Sequence, residues 1–155
     1  MDMENKLDII DELIEKEYWV VDILPEQVPE NSPGQYFEVE KYYLQYPHVD
    51  RIFSKFTDIL LKLNCYFDFS VSLSGGDWEK NPKPDALAEM MYDYTAGGYM
   101  AGKYIYIFIE AEGTLISLMG DSLYMTFYDP SERVLRLTEA LARSEGLFLW
   151  QPPQK

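Results

Sequence analysis

The sequence predicts an α+β fold, in which helices flank a mainly antiparallel sheet within a single domain of residues 1–155. A run of apolar residues at three- and four-residue spacing follows Pro47 and predicts a long amphipathic helix. Three strand-like segments lie between Tyr104 and Tyr128, and short glycine-bearing links join them. No repeat, low-complexity tract or linker divides the chain, which is near the usual length of one domain.

The first forty-odd residues predict two helices around one strand. Residues 3–17 have helical periodicity, and residues 18–24 are rich in aromatic and β-branched side chains until Pro25 ends the strand. A proline-rich loop covers residues 25–34, and residues 36–46 form a short helix. The predicted inward side chains are Leu7, Ile10, Leu13 and Ile14 in the first helix and Phe37, Tyr43 and Leu44 in the second.

The segment after Pro47 has the most regular helical pattern in the chain. Proline is well accommodated in the first turn of a helix, which supports a helix start at this point. Its predicted buried side chains are Val49, Ile52, Phe53, Phe56, Ile59, Leu60 and Leu63. Residues 65–73 then alternate apolar and polar, which predicts a strand with Cys65 on its buried face.

The second half of the chain predicts a loop, a helix and then a meander. Residues 74–84 are rich in turn formers, residues 85–94 form a short helix, and residues 96–102 are a glycine-containing connection. The three predicted strands are residues 104–110, 114–119 and 123–128. Links this short produce antiparallel hairpins, so these strands should form a three-strand meander.

The last helix has recognisable boundaries. Asp129 is the predicted N-cap, Pro130 the first helical residue and Glu132 the partner in a box-like arrangement, and Gly146 ends the helix. The predicted inward residues are Val134, Leu137 and Leu141, and residues 147–150 add an edge strand.

The net charge of −14 is concentrated near the amino terminus, because residues 1–40 hold 12 acidic and 2 basic residues. A surface of this charge repels phosphate and anionic lipid, so we expect neither nucleic acid nor membrane as a partner. A basic protein is the partner that this charge favours. The first residues lack an apolar run, so we expect no secretory signal and a cytoplasmic location.

Catalytic and metal-binding patterns are scarce. Cys65 and His48 are the single cysteine and histidine, which leaves no disulfide and little material for zinc sites or triads. The sequence Ser74-Gly75-Gly76-Asp77 lacks the lysine of a phosphate loop. We therefore expect no catalytic residue, no cofactor and no metal.

Three carboxylates, Asp85, Glu89 and Asp93, would lie on one helix face at four-residue spacing. Such acids usually keep an exposed face solvated, but they can also bind a cation or act as acid and base. A small-ligand or metal-binding protein, or a hydrolase-like enzyme that uses the acids between Asp77 and Asp93, is therefore one alternative function.

Tyrosines are concentrated on one predicted strand face. Tyr104, Tyr106 and Phe108 share that face, while the other face consists of isoleucines. Either helices cover both faces, or the tyrosines form a binding face, since tyrosine combines a large apolar area with a polar tip. A homo-oligomer that buries this face is a second alternative.

Three stretches, WVVDILPEQVPENSPGQYFEVEKYYL, LKLNCYFDFSVS and LYMTFYDPSERVLRLTEALARSEGLFLW, resemble a group of small acidic uncharacterised proteins from gut Firmicutes. That group implies no catalytic residue. The chain is also similar in general style to bacterial immunity proteins that neutralise toxins, which implies a non-enzymatic inhibitor.

These observations predict a protein-binding module, with an immunity-type inhibitor as one form of it. An acidic surface attracts a basic protein quickly, and aromatic anchors then hold it. The residues predicted to bind the partner are Glu12, Glu15, Asp22, Glu26, Tyr36, Glu38, Tyr104 and Tyr106.

Overall fold

A computed structural model describes residues 3–95 and 102–153, and the predicted connection at residues 96–102 lies almost wholly outside them. The helices are α1 (Met3–Leu13), α2 (Tyr36–Tyr43), α3 (His48–Leu63), α4 (Pro84–Thr95) and α5 (Glu132–Ser144). The strands are β1 (Tyr18–Asp22), β2 (Ser70–Leu73), β3 (Glu79–Lys80), β4 (Tyr104–Ile109), β5 (Thr114–Met119), β6 (Tyr124–Tyr128) and β7 (Phe148–Trp150). The predicted α+β class is confirmed.

The seven strands form one sheet in the order β3-β2-β4-β5-β6-β1-β7. Every neighbouring pair is antiparallel. The predicted meander is present as β4-β5-β6, and the predicted edge strand is β7. The first strand of the chain, β1, lies between β6 and β7, which makes it the most non-local part of the sheet.

The inner face of the sheet packs against α3, α4 and α5 and forms the main core. All seven apolar residues predicted to face inward on α3 are buried there. Ile105, Ile107 and Ile109 of β4 are fully buried on the same face. On α5, Val134 is buried and Leu137 and Leu141 pack against this core, as predicted.

The outer face is covered only in part. Ile10 and Leu13 of α1 pack against Phe108 and Leu115 in a second, smaller cluster. The pairing register places five tyrosines on this face, Tyr18, Tyr104, Tyr106, Tyr124 and Tyr128. The helix predicted at residues 3–17 ends at Leu13, and it contacts the sheet around Ile10 and Leu13. Leu7 and Ile14, which were predicted to face inward, lie outside this contact and are exposed.

The prediction for α2 was wrong about burial. Phe37 is 78% exposed, and Tyr43 and Leu44 are only half-buried, so that no residue of the helix is buried. The helix follows the proline-rich loop and packs on α3 through Tyr43 and through the ring of Tyr42, which stacks on the first residue of α3. Tyr36, by contrast, is half-buried, and Phe37 faces solvent.

The predicted burial of Cys65 was also wrong. The segment after α3 continues as a turn, with the N–H of Cys65 donating to the carbonyl of Lys62, and β2 begins only at Ser70. Period-two alternation buries a residue only where the backbone is extended. Cys65 is therefore exposed, whereas Phe67 and Phe69 are buried.

The N-cap of α5 is Ser131 instead of the predicted Asp129. Its Oγ accepts a hydrogen bond from the backbone N–H of Val134 at 3.2 Å. Asp129 has a φ of 51° and donates its N–H to the carbonyl of Glu17, so it belongs to the turn that leaves β6. Gly146 follows the helix with a φ of 74°, as its predicted role at the helix end requires.

None of the helices in the described ranges has the length and hydropathy of a membrane span.

Candidate functional site

A cavity of about 280 Å³ opens on the outer face of the sheet, at the β6-β1-β7 side. Strands supply one wall and the proline-rich loop supplies the other. Its lining residues are Tyr18, Val20, Asp22, Leu24, Glu26, Gln27, Val28, Tyr36, Tyr124, Trp150 and Pro152. We call it the Asp22 cavity.

The register of β1 explains which side chains reach this cavity. Trp19 and Val21 face the inner core, so Tyr18, Val20 and Asp22 face outward. Antiparallel pairing then places Tyr124 of β6 directly opposite Asp22. On the other side of β1, Trp150 of β7 lies opposite Val20.

Asp22 is a half-buried carboxylate with an elevated pKa. Burial raises its pKa from 3.8 to about 6 against the opposing effect of the backbone N–H groups of Ile23 and Leu24. The Ile23 N–H donates to Oδ1 at 2.7 Å. The charge of Glu40 raises the pKa further, so Asp22 titrates close to neutral pH.

The indole of Trp150 forms one aromatic wall of the cavity. Its N–H stabilises the charged form of Asp22. The indole N–H does not meet the geometry of a hydrogen bond, however, since the buried Nε1 has no hydrogen-bond partner among the described residues. The indole therefore acts on Asp22 as a nearby dipole instead of a well-formed donor.

Tyr36 links the cavity to α2. Its hydroxyl donates to Oε2 of Glu40 at 3.0 Å. Burial, the charge of Glu40 and this hydrogen bond raise the pKa of Tyr36 above its usual range. The phenol therefore stays protonated at any physiological pH, and it remains a hydrogen-bond donor to Glu40.

The cavity carries negative charge that its own walls do not neutralise. Asp22 and Glu26 line it and Glu40 lies behind Tyr36, whereas no described lining residue is lysine, arginine or histidine. Aromatic faces attract cations, and carboxylates accept their hydrogen bonds. The arrangement therefore suits a cationic group.

Phe37 extends the site beyond the cavity. Its ring contacts the ring of Tyr36 edge-to-face, with centroids 5.4 Å apart, while its own side chain is 78% exposed. A phenyl ring held against one neighbour and otherwise in water offers an apolar contact next to an acidic cavity. That combination is typical of an interaction surface.

The structure brings together three of the eight residues predicted to bind a partner: Asp22, Glu26 and Tyr36. Glu12, Glu15 and Glu38 are exposed but do not line the cavity. Tyr104 and Tyr106 contact each other on β4, with ring centroids 5.3 Å apart. Tyr106 packs beside the α1 cluster.

The sequence analysis missed Tyr18, Tyr124 and Trp150 as site residues. Each alternates along its strand with residues that face the core, and this alternation was the signal in the sequence that could have identified them as outward-facing. It did not suffice, because only the pairing of β1 with β6 and β7 shows that the three residues meet.

The other residues considered for chemistry form no site together. Asp85 and Glu89 are exposed and Asp93 is half-buried. The described residues contain no group of three or more His, Cys, Asp or Glu side chains that could hold a metal ion. His48 begins the 16-residue helix α3 and Cys65 follows its end, so about 24 Å of helix separates them. That distance excludes a Cys-His pair.

A scan of protein-family models matches no family, and searches of curated proteins and of solved structures find no significant match. The function is therefore argued from the geometry of the Asp22 cavity and its rim.

Proposed function

We propose that this protein is a non-enzymatic binding module for a basic partner protein. The contact surface consists of the Asp22 cavity together with Phe37 and Glu38 of α2. An inhibitor of a basic toxin, of the immunity type, is one role that such a module serves. The cytoplasm, expected from the sequence, is the location in which we propose that it acts.

The observation that carries this proposal is the half-buried, uncompensated carboxylate of Asp22 in an aromatic cavity beside an exposed phenyl ring. Burying a carboxylate without a cation is unfavourable for folding. A basic partner would supply the missing cation and cover Phe37 at once. The net charge of −14 would further accelerate the encounter.

The test begins with capture of partners from extracts of the source organism, followed by purification of each captured protein. We expect a basic protein that binds with 1:1 stoichiometry in isothermal titration calorimetry. The double variant Asp22→Asn/Glu26→Gln should weaken its binding at least about tenfold, which corresponds to about 1.4 kcal/mol.

The matched control is Asp58→Asn/Glu110→Gln, which removes the same charge at two exposed positions outside the cavity. It should leave the dissociation constant within about twofold, because isolated surface charges contribute little. Equal loss in both double variants would attribute binding to net charge alone and would contradict a site at Asp22.

The alternatives make different predictions for the same purified protein. A metal or ligand site between Asp77 and Asp93 would raise the melting temperature on addition of a divalent cation, and Asp85→Asn/Glu89→Gln would abolish that rise. A homo-oligomer that buries the tyrosine face would have more than the monomer mass in light scattering. No contact among the described residues favours either alternative over the Asp22 cavity.

A further inference from the structure

We propose that the Asp22 cavity is a socket for the side chain of a single arginine presented by the partner. This inference rests on the proposed function and specifies the chemical group that the site recognises. Four properties support it, namely the charge of the cavity, the aromatic side chains of its walls, its volume, and the hydration of the cation that would enter.

The charge of the cavity requires a cation. Asp22 and Glu26 present carboxylates from β1 and from the loop, and Glu40 adds negative charge behind Tyr36. The groups that partly offset the charge of the Asp22 carboxylate are dipoles, among them the backbone N–H of Ile23 and the indole N–H of Trp150. Dipoles lower the cost of a half-buried charge but leave the site net negative.

The walls favour a flat cation over a compact one. Tyr18, Tyr36, Tyr124 and Trp150 surround the acids with aromatic rings. A guanidinium group stacks on such rings and is more weakly hydrated than an ammonium group, so it loses less on entering. It also carries five N–H donors, which suits two carboxylates and several phenolic oxygens at once.

The volume limits the occupant to one side chain. At about 280 Å³ the cavity lies just below the range of about 300–1,000 Å³ that is typical of small-molecule sites. A guanidinium with its aliphatic stem is small enough for such a space, whereas a folded segment of the partner is not. The remainder of the partner would lie over Phe37.

The inference can be tested without any partner protein. The probe is N-acetyl-arginine methylamide, and the readout is the indole N–H resonance of Trp150 in ¹⁵N-labelled protein. Trp150→Phe assigns that resonance among the signals of the three tryptophans. We expect a saturable shift of the Trp150 signal, with a dissociation constant in the millimolar range, on the order of −4 kcal/mol.

Two matched probes define the specificity. The citrulline analogue has nearly the same shape without the charge, and we expect it to bind at least about tenfold more weakly. The lysine analogue keeps the charge on a more strongly hydrated group, and it should also bind more weakly than the arginine probe. Asp22→Asn should reduce arginine affinity, whereas Asp58→Asn should not.

Equal shifts with the citrulline probe, tighter binding of the lysine probe, or no Trp150 shift with arginine would each overturn the socket. None of these outcomes decides whether a basic protein binds, because capture and calorimetry measure that separately. Conversely, arginine binding without any captured partner would support the arginine socket and contradict the proposed binding of a basic protein.

Discussion

The half-buried carboxylate of Asp22 disfavours folding, and the same carboxylate provides a hydrogen-bond acceptor on the proposed contact surface. This carboxylate is half-buried, its pKa is about 6, and the like charge of Glu40 contributes to raising that pKa. Tyr36, Tyr124 and Trp150 face it from α2, β6 and β7, and Glu26 faces it from the loop. None of these four side chains can carry a positive charge, so none neutralises the carboxylate.

The elevated pKa has a definite consequence for stability. Between pH 3.8 and about 6 the folded state holds a proton that the unfolded state has released. The free energy of unfolding therefore falls as the pH rises through this interval, and Asp22 contributes no pH dependence to it below or above the interval. This is the opposite of the usual behaviour of a salt-bridged aspartate.

We expect Asp22→Asn to stabilise the folded protein at pH 7. The gain should be on the order of 1–2 kcal/mol, after allowance for the partial solvation of the carboxylate. The variant should also lose the decline in stability between pH 4 and 6. Urea unfolding at a series of pH values measures both effects.

Asp58→Asn is the matched control, because Asp58 is exposed on α3. Its stability should remain within about 0.5 kcal/mol of the wild type at every pH. A less stable Asp22→Asn protein at pH 7 would show that the hydrogen bonds to the Asp22 carboxylate outweigh its burial.

At the scale of an element, α5 shows how a local signal can be assigned two residues too early. Asp129, Pro130 and Ser131 all suit a helix start, and only the tertiary context selects among them. Asp129 is held in the turn after β6 by Glu17, and its carbonyl accepts a hydrogen bond from Thr114. Ser131 is then the first residue free to cap α5.

We expect Ser131→Ala to lower the free energy of unfolding by about 1 kcal/mol. The substitution removes the acceptor for the Val134 N–H and the donor to Oε1 of Glu112. Chemical denaturation followed by circular dichroism provides the measurement.

Asp129→Asn provides the comparison for the cap. Asparagine tolerates the positive φ of 51° at this position, so its effect should be within about 0.5 kcal/mol. A larger loss of stability for Asp129→Asn than for Ser131→Ala would show that Asp129 contributes more than Ser131 to this helix start.

The element that differs most from expectation is α2, and the difference bears on function. A helix with four aromatic residues in eight positions would normally bury some of them. Here Phe37 lies outside and Tyr36 turns toward the Asp22 cavity. The helix thus supplies one wall and one rim residue of the proposed contact surface.

At the scale of the whole molecule, the charge distribution would control how the proposed basic partner approaches. The net charge is −14, and the first 40 residues contribute −10 of it. Those residues include β1 and much of the loop that lines the Asp22 cavity. The long-range field and the proposed contact surface therefore come from the same part of the chain.

We expect the association rate with a basic partner to fall at least about tenfold between low salt and about 0.2 M salt, because mobile ions screen the steering field. The dissociation rate should change much less, since the short-range contacts at the cavity are screened little. Stopped-flow or surface plasmon resonance measurements at several salt concentrations separate the two rates.

Asp58→Asn/Glu110→Gln again serves as a control, because it removes two of the negative charges that make up the net charge of −14 without altering the cavity. It should slow association slightly and leave dissociation unchanged. A dissociation rate that rises with salt as steeply as the association rate falls would show that the contact is made by exposed charges alone.

The sequence by itself determined the features that depend on neighbours along the chain. Repeating apolar spacing specified α3 and its buried residues, and glycine-bearing links specified the antiparallel order of β4, β5 and β6. The same reasoning identified Asp22, Glu26 and Tyr36 as candidates, because charge and aromatic content can be read directly from residue types.

Only the tertiary structure decided how distant segments meet. Residues 18–22 pair with residues 124–128 and with β7, about a hundred positions along the chain, and no local period encodes that choice. This pairing places Tyr124 and Trp150 beside Asp22 and creates the cavity, in which burial raises the pKa of the Asp22 carboxylate. Burial and charge are properties of spatial neighbours, so sequence periodicity identified the acid but not its environment.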